Sequence, residues 1–140
     1  MTTAIDTNVI VALWDEEDAL HRAARAGLES ALGAGNLVIA GAVYAELRAG
    51  PGRSEPFVDQ FCEDAHINVE WELGEKVWRA AGAAFQGYAA RRREPGPKQA
   101  RRILADFVIG AHALVSGYKL LTMDARLYRA SFPKLEVITV

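Results

Sequence analysis

Cysteine is nearly absent from this chain: its 140 residues include a single one, Cys62, which excludes an internal disulfide framework. Histidine is almost as scarce, and His21, His66 and His112 are so scattered that no Cys/His grouping has the spacing of a zinc site. No apolar run approaches the roughly 20 residues of a membrane span. The opening Met1-Thr2-Thr3-Ala4-Ile5-Asp6 also lacks the basic region and long apolar stretch of a signal peptide. The expectation is a reduced, cytoplasmic protein with no membrane partner. A strong excess of charge is missing too. At a formal net charge of -2, any attraction for nucleic acid must come from how the basic residues are distributed.

What is present suffices for one domain spanning residues 1–140, since 51% of the residues are hydrophobic and a chain of this length can bury a substantial core. Residues 2–5 read as a short apolar strand, after which Thr7 or Asn8 is expected to cap a helix continued by Val9 to Trp14. The stretch 18–32 repeats Leu20, Ala24, Leu28 and Leu32 at helical spacing and stops at Gly33 to Gly35. Leu37-Val38-Ile39-Ala40 is a second strand, running into a helix at 42–49 that Gly50-Pro51-Gly52 ends. Helices at about 55–64 and 73–93 flank a strand at 67–71, and a last long helix is expected at about 99–116. Strands at 119–122 and 136–140 close the chain. Strands alternating with helices predict an α/β fold, its largely parallel sheet covered on both faces. Ligands in such sheets bind beyond the carboxyl ends of the strands.

Four acids fall at that edge or on inward helix faces: Asp6 after the first strand, Glu46 in Val43-Tyr44-Ala45-Glu46-Leu47, Asp106 in Leu104-Ala105-Asp106-Phe107-Val108, and Asp124 in Leu121-Thr122-Met123-Asp124. Helical spacing puts Asp106 with Ile103, Phe107 and Gly110, and Glu46 with Ala42, Val43 and Gly50. A carboxylate withdrawn from water is destabilising unless paired or bound to a cation, and carboxylate oxygens suit Mg²⁺ or Mn²⁺. An all-carboxylate site of that kind supports phosphoryl-group chemistry without histidine or cysteine. Each acid alone has a plainer reading: an Asp after a strand is a common helix cap, and Glu46 fits an ordinary surface position. The run Asp15-Glu16-Glu17-Asp18 is a competing metal candidate, more simply explained by capping and the helix dipole.

These segments resemble those of a PIN-domain ribonuclease of the VapC toxin type, in order and spacing, over nearly the whole chain. Ile5-Asp6-Thr7-Asn8-Val9 is similar to the family's opening strand and Ala45-Glu46-Leu47 to its glutamate helix. Ala105-Asp106-Phe107-Val108-Ile109-Gly110-Ala111-His112-Ala113 and Leu121-Thr122-Met123-Asp124 are similar to its third and fourth segments. The resemblance implies a three-layer α/β/α sandwich around a mostly parallel sheet. It also implies a divalent-metal-dependent endoribonuclease in which Asp6, Glu46, Asp106 and Asp124 hold Mg²⁺ or Mn²⁺, with Asn8 and Thr122 as supporting polar neighbours. An RNA substrate, a homodimer and a cognate antitoxin follow from it as partners. Leu13, Trp14 and Leu20 are candidates for an apolar antitoxin groove or for plain helix packing.

Six of the 16 Lys and Arg residues, Arg91, Arg92, Arg93, Lys98, Arg101 and Arg102, precede Asp106 in one short stretch. Such a cluster suits the salt-sensitive, sequence-independent attraction of an RNA backbone, and equally a solvated helix end. Two rival functions remain. One is a non-catalytic RNA- or protein-binding module of the same fold. The other is a haloacid-dehalogenase-like phosphatase, suggested by Asp6-Thr7-Asn8-Val9, in which Asn8 stands at that family's second aspartate.

Overall fold

The computed structural model of the chain describes residues 1–96 and 101–140. Its elements run β1 (Thr2–Ile5), α1 (Thr7–Trp14), α2 (His21–Ala34), β2 (Asn36–Ala40), α3 (Gly41–Arg48), α4 (Glu55–Asp64), β3 (Ile67–Glu70), α5 (Glu75–Arg92), α6 (Leu104–Ser116), β4 (Lys119–Thr122), α7 (Ala125–Ser131) and β5 (Val137–Thr139). The strands form one sheet in the order β3-β2-β1-β4-β5, and every neighbouring pair is parallel. A parallel pair cannot be joined by a tight hairpin, so each connection carries helix and packs it on the sheet. The product is the expected three-layer α/β/α arrangement. The central strands read as continuous apolar runs because both faces are covered: Ala4 and Ile5, Leu37 to Ala40, and Leu120 and Leu121 are all buried.

Connectivity places the site. From β1 the chain builds outward to β2 and β3, then returns through α5 and α6 to lay β4 against the other side of β1. Such a reversal splays the connections and leaves a crevice beyond the strand ends between β1 and β4. The register Ile5↔Leu121, prolonged by the Asp6 N–H donating to the Leu121 carbonyl at 2.9 Å, brings Asp6 beside Thr122 and points β4 at Asp124.

Several local expectations change. The last long helix begins at Leu104 rather than near 99, and Ile103 is the extended residue before it, 57% exposed instead of inward-facing. Its N–H is held by the Asp106 carboxylate, a long contact of 3.4 Å that fixes the helix start. The first helix is capped by Asp6, which accepts from the Thr7 N–H at 2.8 Å, and not by Thr7 or Asn8. In α2 the buried stripe is Ala24, Leu28 and Ala31, while Leu20 and Leu32 are exposed. At the far end of α6, Gly117 takes the left-handed conformation (φ 75°) that favours glycine and stops the helix.

Candidate active site

Asp6 sits at the floor of the crevice, 5% exposed. One carboxylate oxygen accepts from the Thr7 N–H at 2.8 Å and the other from the Thr122 hydroxyl at 2.7 Å. Burial pushes its carboxyl up to about 6; the Thr122 hydroxyl and the Thr7 N–H oppose that rise, and the charge of Asp106 adds to it. Thr7 and Thr122 tie Asp6 to two of the other acids. The Thr7 hydroxyl donates to Glu46 at 2.6 Å, and the Thr122 hydroxyl oxygen accepts the Asp124 N–H at 2.9 Å. The Asn8 side-chain oxygen accepts the Met123 N–H at 3.2 Å, clamping the start of α1 to the turn after β4.

Asp106, in the first turn of α6, is half-buried, and its carboxyl is raised mainly by burial. The Ile103 N–H and the charge of Arg102 pull it back, while Asp124 pushes it up. Asp124 is partly exposed and ion-paired to the Arg102 guanidinium at 2.5 Å. Asp6 and Asp106 repel one another, as do Asp106 and Asp124, and Glu46 joins through Thr7. The structure therefore brings all four sequence-predicted acids, with Asn8 and Thr122, to one region. Glu46 stands at its rim, because Val43 and Leu47 take the buried face of α3. It also lines a groove of about 410 Å³ that contains Trp71, Trp78 and Leu104.

These carboxylates are engaged with protein donors. Among the described residues no three acidic, histidine or cysteine side chains stand at the mutual spacing of a formed metal cage. The donor chemistry nonetheless fits a hard divalent cation: the oxygens that meet here are carboxylate, hydroxyl and amide, and the most buried carboxyl carries a desolvation cost that a cation would relieve.

A residue absent from the sequence reading completes the floor. Tyr128, on α7, is 1% exposed, and burial and the charges of Asp6, Asp106 and Asp124 drive its hydroxyl strongly upward. That hydroxyl lies close enough to Asp6 to moderate it, yet it has no hydrogen bond of good geometry. Its position four residues after Asp124 is the signal that could have pointed to it.

The basic cluster divides. Arg102 enters the site. Arg91, Arg92 and Arg93 lie at the C-terminal end of α5, where Arg92 rests over the Tyr88 ring at 5.9 Å and the Tyr88 hydroxyl accepts the Arg102 N–H at 2.7 Å. Arg101 is exposed, and Lys98 lies outside the described residues. The competing acidic run is taken up locally, Asp15 and Asp18 accepting the N–H groups of Glu17 and Leu20. His112 is buried away from the acids and paired with Glu70 at 2.7 Å. Trp14 packs edge-on against Phe57 and Phe61 with Arg53 over its ring.

The whole chain superposes on solved toxin-antitoxin proteins. VapBC2 from Rickettsia felis, bound to a DNA fragment from its promoter, matches with a TM-score of 0.71 at 18% identity, covering 99% of this chain and 98% of that one. VapBC-1 from nontypeable Haemophilus influenzae matches with a TM-score of 0.71 at 19% identity, covering 99% and 98%. FitAcB from Neisseria gonorrhoeae gives 0.65 at 19%, covering 98% and 96%. At these identities the likeness establishes the fold. Comparison with curated proteins returns no match. The family model of the PIN domain matches residues 3–133, a span that takes in all four acids, and the chain belongs to the PIN-domain family.

Proposed function

We propose that the protein is a divalent-metal-dependent endoribonuclease, the VapC-type toxin of a toxin-antitoxin pair. The observation that carries this reading is the network at the crevice between β1 and β4: Thr7 and Thr122 link Asp6 to Glu46 and Asp124, and Asp106 is near enough to act on Asp6 and to be acted on by Asp124 through charge. The PIN-domain match and the toxin-antitoxin folds support it.

The four carboxylates would hold Mg²⁺ or Mn²⁺. When bound, such an ion supplies charge neutralisation at a phosphodiester and activation of water for its hydrolysis. The chain's own residues prepare the place. Thr122 orients Asp6 and, through the Asp124 N–H, the turn that presents Asp124. Thr7 restrains Glu46, and the buried Tyr128 ring closes the floor to water. Arg91, Arg92, Arg93 and Arg101, with Arg102 at the edge of the site, would draw an RNA backbone by charge; Lys98, the remaining member of that run, lies outside the described residues.

The toxin-antitoxin relatives support a cognate antitoxin as partner; Leu13, Trp14 and the exposed Leu20 would form its candidate surface, and the assembly would be a homodimer. A cytoplasmic location agrees with this role. Among the described residues no helix is long and apolar enough to cross a membrane.

The test is incubation of antitoxin-free protein with total RNA, with and without Mg²⁺ or Mn²⁺, followed by mapping of new ends. Metal-dependent cleavage is expected. It should fall about a thousandfold in folded Asp106→Asn, the effect of losing about 4 kcal/mol of transition-state stabilisation. RNA binding without cleavage would favour the non-catalytic module instead, and a phosphorylated Asp6 the phosphatase.

A further inference from the structure

Arg102 sits differently from Arg91 and Arg93. Its backbone N–H is donated to the Tyr88 hydroxyl at 2.7 Å, which anchors the residue on α5. Its guanidinium turns away from solvent, with 27% of the side chain exposed, and pairs with an Asp124 carboxylate oxygen at 2.5 Å. The same charge acts on Asp106. Arg102 thus pairs directly with Asp124, in the turn after β4, and acts on Asp106 of α6 through its charge. Asp6 and Glu46, by contrast, are satisfied by hydroxyl and amide donors. Among the described residues the Arg91 and Arg93 side chains make long contacts of 3.4 and 3.3 Å, to Ser131 and Ala89.

We propose that Arg102 is a built-in counter-cation that competes with the divalent metal for Asp124, so that the metal-free site is held closed on its Asp106–Asp124 side by the chain itself. The inference rests on reading these acids as metal ligands. A guanidinium and a divalent ion cannot share one carboxylate at little cost: both need the same oxygen lone pairs, and they repel one another in a partly desolvated crevice. The arginine already satisfies Asp124 with a charge-assisted hydrogen bond, so an incoming ion must displace it and binds more weakly by the strength of that pairing. This accounts for a donor set of the right chemistry that is not gathered at ligand spacing.

The test is Mn²⁺ binding to the full chain at pH 7.5, read by electron paramagnetic resonance of the free ion. Parallel thermal melts are recorded in EDTA and in saturating Mn²⁺. Arg102→Gln should bind Mn²⁺ about tenfold more tightly than the parent, equivalent to about 1.4 kcal/mol. It should melt lower than the parent in EDTA and show a larger Mn²⁺-induced rise. Arg102→Lys, which keeps the charge but loses the planar fork, should fall between the two and serves as the readout should the glutamine variant not fold. Arg101→Gln removes an equal charge one residue away and should stay within about twofold of the parent, which separates direct competition from long-range repulsion.

Unchanged or weaker Mn²⁺ binding in Arg102→Gln overturns the proposal, as does an equal gain in Arg101→Gln. Either result leaves the metal reading intact if the parent binds Mn²⁺ and Asp106→Asn does not. Absence of Mn²⁺ binding in the parent and in every Arg102 variant removes both.

Discussion

Asp6→Asn should make the metal-free protein more stable while destroying its capacity for metal. Burial holds the Asp6 carboxyl at about 6 in the folded protein, against 3.8 for the unperturbed group. Folded protein therefore binds this proton more tightly than the unfolded chain. The stability associated with the protonated form is fully present below about pH 4 and is lost as pH rises through about 6. The difference of roughly two units corresponds to about 3 kcal/mol at neutral pH. Asparagine is close in shape and is a good helix N-cap, so it keeps an acceptor for the Thr7 N–H without the charge. With an unfolding entropy near 2.1 cal/mol/K per residue, about 3 kcal/mol shifts the melting temperature of a chain this long by about 10 °C. The assay is calorimetry of parent and variant in EDTA at pH 7.5 and at pH 4, then at pH 7.5 with saturating Mg²⁺. Asp6→Asn should melt higher at pH 7.5 and level with the parent at pH 4, and Mg²⁺ should raise the parent alone. A variant that melts at or below the parent at pH 7.5 without metal would refute the desolvation argument, as would a difference that ignores pH.

Three further outcomes follow. Thr122→Val removes the hydroxyl that lowers the Asp6 carboxyl, so the pH at which half-maximal Mn²⁺ binding is reached should move upward in a titration. Gly110→Ala would drive a methyl group into the buried Phe132 ring and should destabilise by about 1–3 kcal/mol in urea denaturation, despite alanine's better helix propensity. Replacing Arg91, Arg92 and Arg93 together by Gln should weaken RNA binding at low salt for any sequence and flatten the plot of log affinity against log salt by up to about 2; an unchanged slope would remove them from the RNA path.

The two strands at the site were legible because β1 and β4 are short apolar runs that pass into polar residues at their carboxyl ends, so that strand and acid are read together in Ile5-Asp6 and Leu121-Thr122-Met123-Asp124. Glu46 was harder to place: α3 spans only Gly41–Arg48, too few turns for periodicity to separate a rim position from the buried stripe that Val43 and Leu47 occupy. The start of α6 is not legible in the sequence because helix propensity extends back past Ile103, whereas the Asp106 carboxylate holds the Ile103 N–H and sets the boundary. Asp6 shows that the helix-cap reading and the site reading need not exclude each other, since one oxygen caps α1 and the other faces Thr122. Tyr128 and the inward turn of Arg102 depend on tertiary packing: a tyrosine on a short helix and an arginine among arginines carry no local mark of where they point.

The central claim is that four carboxylates distant in the chain form one divalent-metal centre at the crevice between β1 and β4. Anomalous X-ray scattering from a Mn²⁺-soaked crystal tests it most directly. A Mn²⁺ peak coordinated by Asp6 and by at least two of Glu46, Asp106 and Asp124, with Arg102 withdrawn from Asp124, is expected. Ordered crystals at saturating Mn²⁺ with no peak there, or with the ion held only by the Asp15 to Asp18 run, would contradict it.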